Sequence, residues 1–382
     1  MKTYFKNLDA LRFLAFLSVF ISHSALFLGY ESKSGSFEHF KNIFLVHGDL
    51  GVSFFFVLSG FLISFLLFTE KAKNGSISIR HFYIRRILRI WPVYFLTLIV
   101  GFFIIYPIFS KSGIRFPFGI EVDFKSIPWF LFFGVNLKMA FYGLGSAILV
   151  VLWSVSMEEQ FYLIWPLVLS FVSKKNLLKI VFIIISLSFI YRFVYYNDYN
   201  IIKYSTFSLI SDLLIGATIA YFSFFSNNFR SFFEKIPKAW IIVIYIIGLS
   251  LPILRNFLGD VSSGFLYRFI YSLEPIIFSS FFAFVILEQN IAKNSFVKFG
   301  NFKIFNYLGV RSYGLYCYHM VSIFCTFYVF YLLGMPENNH NFILYLLEIV
   351  TAFLLAILFS SISYTFMEKK FLSLKEKFGY NS

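Results

Sequence analysis

The sequence is poor in charge and in cysteine, and it contains no long polar stretch that would form a soluble domain. Only 14% of its 382 residues are charged, against about 25% in soluble globular proteins. Its two cysteines, Cys317 and Cys325, share one apolar run; in a helix they would lie about 12 Å apart, too far for a disulfide. These shortages exclude an ordinary soluble fold, a disulfide framework and a cysteine-based zinc site.

The sequence is instead rich in long apolar runs. Ten of them approach the length of about 20 residues that a helix needs to cross a bilayer. We therefore predict an all-α polytopic membrane protein with about ten transmembrane helices, and the continuous rather than alternating runs exclude a porin-like barrel. The predicted helices lie near residues 8–29, 50–68, 84–106, 154–173, 179–195, 207–225, 239–254, 269–288, 312–333 and 341–366.

Lysine and arginine are distributed unevenly between the two sets of loops. The termini and the loops on the N-terminal side carry 22 of the 33 basic residues, and the opposite loops carry nine. Because basic residues accumulate in cytoplasmic loops, we expect both termini in the cytoplasm. The same asymmetry explains the net charge of +14, so we expect contact with membrane lipids and no nucleic-acid partner.

One further apolar segment, residues 128–152, does not fit this count. Treating it as an eleventh crossing would place the later basic loops outside, and Lys138 with its neighbouring glycines argues against a clean span. We predict instead a re-entrant or interfacial segment on the extracytoplasmic side. We expect residues 1–382 to form a single integral-membrane domain without an appended soluble domain.

Several ionisable residues lie inside or at the ends of these runs, where each must find a partner or face a cavity. Arg12 and His23 are eleven residues apart, so they project from one face of the first helix, about 16 Å apart along its axis. In the third run, Arg86 and Arg89 share a face, and Arg85 lies one turn from Arg89. Such guanidinium groups suit phosphate binding, although anchoring at the cytoplasmic surface explains the same pattern.

The fourth run carries two adjacent carboxylates, Glu158 and Glu159. We expect them at the extracytoplasmic start of the helix, where the macrodipole favours acidic groups and where Ser156 with Glu159 would form a capping box. A cap needs only one of them, so we expect the other to face a cavity. Asp212 and His319 are further polar positions; for His319, a structural hydrogen bond and a role in chemistry are both open.

Six stretches of the chain resemble motifs of the integral-membrane acyltransferase family three. The resemblance covers essentially the whole chain, and the motifs follow the family's order. The closing motif departs from the usual Glu-Lys-Pro, since here it reads Glu368-Lys369-Lys370. The stretches are LDALRFLAFLSVFISH, GVSFFFVLSGFLI, FYIRRILRIWPVYF, WSVSMEEQFYLIWPL, RSYGLYCYHM and SYTFMEKKF.

The resemblance implies ten transmembrane helices in the bacterial cytoplasmic (inner) membrane. It also implies transfer of an acyl group, usually acetyl, from acyl-CoA to a sugar hydroxyl of surface polysaccharide, lipopolysaccharide O-antigen or peptidoglycan. We therefore expect acetyl-CoA or another acyl-CoA as donor, a glycan or glycolipid as acceptor, and no metal. Matching the motifs residue by residue gives catalytic His23 with Glu158 or Glu159, and donor-binding Arg12, Arg86 and Arg89.

Two mechanisms and one competing function remain open at this point. His23 acts either as a general base on the sugar hydroxyl or as a nucleophile that forms an acyl-imidazole. A neighbouring carboxylate would orient the imidazole or balance its charge. The competing function is a transporter or flippase for a polar or glycolipid substrate, which fits the composition; transporters often show internal repeats, however, and this sequence has no convincing one.

Overall fold

The computed structural model describes residues 5–28, 40–41, 45–111, 123–143, 146–258, 264–335 and 341–378. These residues form helices and connecting turns, and no strand is found among them. Ten helices are the longest elements in this part of the chain. They are α1 (Lys6–Phe27), α2 (Gly48–Asn74), α3 (Ile79–Ile99), α4 (Leu152–Phe171), α5 (Lys174–Val194), α6 (Thr206–Phe225), α7 (Lys238–Leu258), α8 (Phe265–Ile291), α9 (Ser312–Leu332) and α10 (Phe342–Ser363).

Shorter helical elements extend or connect the long ones. α3 continues through the π-helical turn Val100–Ile105 into Tyr106–Lys111, and α10 continues through the π-helical turn Tyr364–Glu368 into Lys369–Glu376. The remaining short elements are Phe124–Ser126, Ile127–Leu131, Val135–Tyr142, Tyr199–Tyr204, Asn227–Lys235, Phe299–Asn301 and Lys303–Val310.

The predicted fold class is confirmed. Each predicted run coincides with one of α1 to α10, and nine helical stretches of the described residues are long and apolar enough to cross a membrane. α4 is the long helix outside those nine, because Glu158, Glu159 and Gln160 interrupt its apolar run. The chain is thus a multi-pass membrane protein, and the cytoplasmic placement of both termini stays a prediction.

The segment predicted as re-entrant or interfacial is broken into short pieces. Ile127–Leu131 and Val135–Tyr142 are its two helices, and between them Phe133 adopts a positive φ of 53°. Lys138 is buried, with its Nζ atom 3.7 Å from a carboxylate oxygen of Asp123. No continuous spanning helix therefore runs through the described part of residues 128–152, as predicted, and its depth in the membrane stays a prediction.

The chain divides into two compact units. The first comprises Met1–Ala15, Asp49–Ile79 and Met157–Gly309, and therefore contains nearly all of α2, most of α4 and all of α5 to α8. The second comprises Phe16–Gly48, Arg80–Ser156 and Val310–Ser382, and therefore contains nearly all of α3 together with α9 and α10.

In the first unit, α2 and α6 meet through a pair of glycines. A β-carbon on Gly60 would lie 1.8 Å from the carbonyl oxygen of Leu213, and one on Gly216 would lie 2.0 Å from the carbonyl oxygen of Val57. Small residues allow two helix backbones to approach this closely, which is common in membrane proteins. The two glycines therefore fix the α2–α6 crossing.

In the second unit, α9 is held against α3 and α10. Tyr313 donates a hydrogen bond to the carbonyl oxygen of Ile90 in α3, at 3.0 Å. Tyr318 and Ser363 of α10 share a hydroxyl–hydroxyl bond of 3.0 Å. Most of α9 is buried, including His319. These contacts fix the position of the helix that carries His319.

We expect Gly60→Ala and Gly216→Ala each to lower the unfolding temperature of the detergent-solubilised protein. Helix propensity alone would favour alanine by about 1 kcal/mol, so the clash with a backbone carbonyl predicts the opposite sign. Gly248→Ala is the matched comparison, because its β-carbon would meet the ring of Phe281, a side chain that can rotate away. Unchanged or higher stability of the Gly60 or Gly216 variant would contradict the close crossing.

Candidate active site

His23 of α1 and His319 of α9 meet in the second unit. His23 Nδ1 lies 2.8 Å from His319 Nε2, which is a hydrogen-bond distance. The ring centroids are 5.1 Å apart and the ring planes differ by only 12°. With the centroids 5.1 Å apart, the two nitrogens can be as close as 2.8 Å only if both lie near the line that joins the centroids. The rings therefore lie edge to edge and nearly coplanar. The partner that the structure gives to His23 Nδ1 is therefore an imidazole, where a carboxylate was expected.

The two histidines differ in exposure. His319 has no exposed surface, and the rings of Phe16 and Phe20 approach it edge-on, at centroid distances of 5.8 and 6.5 Å. Its Nδ1 lies 2.6 Å from the carbonyl oxygen of Tyr316. His23 keeps part of its surface accessible. The pair therefore has an enclosed inner member and an accessible outer member.

A second set of hydrogen bonds supports the backbone around His319. The Tyr316 hydroxyl lies 2.6 Å from Ser154 Oγ at the start of α4, and Ser154 Oγ in turn donates to the carbonyl oxygen of Val151. Ser322 donates to the carbonyl oxygen of His319 at 2.7 Å. The motif that begins with WSVS thus contributes Ser154 to the support of the imidazole pair.

The three arginines of α3 that were considered as site residues have different surroundings. Arg85 is buried, and its Nη1 donates to the carbonyl oxygen of Phe378 at 2.9 Å. Arg86 and Arg89 are only partly buried. Arg89 lies close enough to Glu368 for an electrostatic interaction. Arg85 therefore anchors the C-terminal end of the described chain, whereas Arg86 and Arg89 keep accessible surface.

Glu368 and Arg311 are two charged residues of this unit to which sequence reasoning gave no role. Glu368 accepts a hydrogen bond from Ser363 at 3.0 Å and interacts electrostatically with both Arg89 and Arg311. The Arg311 guanidinium carbon lies 4.5 Å from the ring centroid of Tyr364. Both residues occur in motifs that carry the family resemblance, which was the available signal. Arg89, Arg311 and Glu368 form one charged group at the start of α9.

Arg12 and Glu158 lie in the first unit, each with close partners. Arg12 Nη1 and Asp9 Oδ1 form a salt bridge of 2.5 Å one turn apart in α1. Glu158 accepts a hydrogen bond from Ser59 of α2 at 2.9 Å and another from Tyr162 at 2.7 Å. Glu158 therefore links α2 to α4.

The predicted capping box and helix start at Ser156 are wrong. α4 begins at Leu152, so Glu158 and Glu159 lie in its second turn and not at its N-terminus. Ser156 instead donates to the carbonyl oxygen of Leu152 at 3.1 Å. Both glutamates are partly buried. The macrodipole therefore does not explain the doublet, because its effect is confined to the first turn.

A fully buried arginine, Arg192 of α5, holds three helices of the first unit together. Its guanidinium donates to the carbonyl oxygen of Ser208 in α6 and to that of Ser272 in α8, the latter at 3.0 Å. It also donates to the hydroxyls of Ser188 and Ser211, at 3.1 and 3.0 Å. A buried charge needs such hydrogen bonds to offset its lost hydration.

Asp212 belongs to the same buried cluster. It accepts hydrogen bonds from Ser53 of α2 at 2.6 Å and from Ser211 at 3.3 Å, and it interacts electrostatically with Arg192. The cluster thereby connects α2, α5, α6 and α8. These contacts favour a structural role for Asp212, which the sequence analysis had considered as a site residue.

We expect Arg192→Met to lower the free energy of unfolding by about 3–5 kcal/mol, because it leaves Asp212 buried without its cation. The matched control is Lys293→Met, which removes an exposed cation paired with Glu234 and is expected to cost at most about 1 kcal/mol. Denaturant titration in detergent measures both. Equal effects of the two substitutions would contradict the structural role of the cluster.

Metal ligands and donor-binding groups differ in how far the structure supports them. Within the described ranges, no three His, Cys, Asp or Glu side chains come together as metal ligands would, and the expected absence of a metal stays an expectation. The second unit also contains several cations, among them Arg86 and Arg89, which are three positions apart in the helix α3. Arg89 and Arg311 both interact electrostatically with the carboxylate of Glu368.

The chain matches a family model described as an acyltransferase domain over residues 5–365. It is 31% identical over 341 residues to the peptidoglycan O-acetyltransferase OatA of Listeria monocytogenes, covering 85% of this chain and 50% of that protein. It is 28% identical over 381 residues to the O-acetyltransferase OatA of Staphylococcus aureus, covering 96% of this chain and 57% of that protein. The chain thus spans about half the length of the curated relatives it matches. No solved structure matches it.

Proposed function

Because this chain belongs to the acyltransferase family whose model matches residues 5–365, we propose that it transfers an acyl group, in the first instance acetyl, from cytoplasmic acyl-CoA to a sugar hydroxyl. The acceptor is a glycan or glycolipid on the extracytoplasmic side of a bacterial cytoplasmic membrane. The names of the relatives support O-acetyl transfer, and that of the Listeria protein supports peptidoglycan as one acceptor. The observation that carries the proposal is the His23–His319 hydrogen bond.

The donor's phosphates bind at the arginines of the second unit. Guanidinium groups bind phosphate oxygens with strong, charge-assisted hydrogen bonds, and Arg86 and Arg89 keep accessible surface for them. Arg311 lies near Arg89 through their common partner Glu368. His319 lies eight residues beyond Arg311, which is about 12 Å along α9. The pantetheine arm of CoA is long enough to reach over this distance from the phosphate-binding arginines to the imidazole pair.

In the first version of the chemistry, His23 is a general base. Its Nε2 removes the proton of the sugar hydroxyl while the oxygen attacks the thioester carbonyl carbon. The C–O bond forms, the C–S bond breaks, and the CoA thiolate takes the proton from the imidazolium. The products are the sugar ester and free CoA, and His23 returns to its neutral state.

In the second version, His23 is a nucleophile. Its Nε2 attacks the thioester carbon, the C–S bond breaks, and an acyl-imidazolium forms as the CoA thiolate leaves. The sugar hydroxyl then attacks the acyl carbon and regenerates the imidazole, while its proton neutralises the thiolate. His23 Nδ1 keeps its hydrogen bond to His319 throughout, so both versions require the same ring orientation.

Arg12, Glu158 and Glu159 keep the roles that the resemblance gives them, as predictions. Arg12 is predicted to contribute to donor binding, and its salt bridge with Asp9 orients the guanidinium. Glu158 or Glu159 is predicted to be the carboxylate required by the family motif. Glu158 already accepts two hydrogen bonds. Its replacement would therefore disturb the packing of α4 as well as any catalytic role.

We expect His23→Ala to abolish transfer of radiolabel from acetyl-CoA to glycan in membranes that contain the protein, because both versions use His23 Nε2. The matched control is His81→Ala, a histidine whose ring packs on Phe378 and which should retain transfer. Near-normal transfer by the His23 variant would contradict both versions. Movement of glycolipid by the wild-type protein without any label transfer would favour the transporter alternative.

We expect Arg86→Gln and Arg89→Gln each to raise the KM for acyl-CoA by about tenfold, the factor that corresponds to about 1.4 kcal/mol for a lost charge-assisted bond. The value of kcat should change less. Arg80→Gln is the matched control, because Arg80 is exposed in the first turn of the same helix. An equal effect at all three positions, or loss of membrane insertion without a change in KM, would favour surface anchoring over donor binding.

A further inference from the structure

We propose that His319 is a positioning residue, which holds His23 in the tautomer that carries its proton on Nδ1 and its lone pair on Nε2. The catalytic consequence of this assignment rests on the proposed acyl transfer. The tautomer itself follows from the hydrogen bonds, whatever the substrate. His319 would act through His23 and would not contact the donor or the acceptor.

The hydrogen bond at the enclosed end of the pair determines which nitrogen of His319 carries a hydrogen. His319 Nδ1 lies 2.6 Å from the carbonyl oxygen of Tyr316. A carbonyl oxygen can only accept, so Nδ1 must carry a hydrogen. A neutral imidazole carries one hydrogen, and its other nitrogen is then an acceptor. His319 Nε2 is therefore the acceptor of the pair.

The neutral state of His319 follows from its surroundings. The side chain has no exposed surface, and its ring is packed against Phe16 and Phe20. Burial of a charge among apolar groups is costly unless it is paired. The partner at Nε2 is another imidazole rather than a carboxylate, so the pair is most stable with both rings neutral.

The proton between the rings consequently belongs to His23. The 2.8 Å contact joins His319 Nε2 to His23 Nδ1, and a hydrogen bond between two nitrogens needs one hydrogen. Since His319 Nε2 has none, His23 Nδ1 donates it. In a neutral His23 the lone pair is then on Nε2. The hydrogen bond that His23 Nδ1 donates thus determines that Nε2 is the unprotonated, reactive nitrogen.

Exposure assigns the two roles. His23 is partly accessible, whereas His319 is shut off from solvent and lipid alike. Near-coplanar rings give the hydrogen bond its best direction, so His319 fixes the rotation of the His23 ring as well as its tautomer. His319 thus takes the place of the carboxylate that orients the histidine in a catalytic triad, as a neutral imidazole instead of an anion.

The first test is kinetic and uses three variants of His319. His319→Phe keeps a planar ring without an acceptor, and it should lower kcat by on the order of 10²–10⁴-fold while the KM for acyl-CoA changes little. His319→Gln keeps an acceptor long enough to reach His23 Nδ1 and should be at least about tenfold faster than His319→Asn, whose amide is one methylene shorter. Equal rates of the glutamine and asparagine variants, or an unchanged kcat in the phenylalanine variant, would overturn the assignment.

The second test reads the tautomer directly and does not depend on activity. Nitrogen-15 spectra of histidine-labelled protein in lipid distinguish protonated from unprotonated ring nitrogens, and the chain has only six histidines. His23→Gln and His319→Gln identify the two residues by loss of their signals. We expect His23 to be protonated on Nδ1 in the wild type and to gain the Nε2-protonated form in His319→Phe.

The two tests separate this inference from the proposed function. A wild-type His23 protonated on Nε2 would overturn the inference even if the protein transfers acetyl groups. The expected spectra without any acetyl transfer would leave the positioning role standing and would contradict the proposed function. If His319→Phe does not fold, as judged by size-exclusion chromatography, the wild-type spectrum and the comparison of glutamine with asparagine decide the question.

Discussion

A polar side chain among apolar membrane helices must be hydrogen-bonded there, and this constraint accounts for the arrangement of both units. The free energy of an unpaired polar group in such surroundings is high. His23 meets the requirement through His319, and Arg192 meets it through carbonyl and hydroxyl oxygens of α5, α6 and α8. Each of these side chains thereby ties separate helices together.

Accessibility separates the polar groups that support the fold from those suited to chemistry. Arg192 and Asp212 are enclosed and bonded to several serines, so they stabilise helix packing. His23 has one nitrogen committed to His319 and part of its surface accessible. A reactive imidazole needs this combination, since one nitrogen must be oriented by a neighbour and the other must meet a substrate. Likewise, Arg85 is buried and hydrogen-bonded to the backbone, whereas Arg86 and Arg89 keep accessible surface.

The helices could be predicted because length and hydropathy are local properties of the chain. α8, for example, was expected over residues 269–288 and is found at Phe265–Ile291. The start of α4 was misplaced because its polar doublet resembles a helix cap, although the apolar sequence before it continues the helix to Leu152. The partner of His23 could not be predicted, since His319 is 296 positions away in the chain. The bond from Arg85 to Phe378 and the charges around Glu368 depend on tertiary packing in the same way.

The hydrogen bond between the two imidazoles can be measured without a substrate. Across a hydrogen bond between two nitrogens, the nitrogen-15 nuclei show a scalar coupling that vanishes when the bond is broken. In histidine-labelled protein in lipid, our account predicts such a coupling between His23 Nδ1 and His319 Nε2, and its loss in His319→Phe. A folded wild-type protein in which these two nitrogens show no coupling would contradict the account.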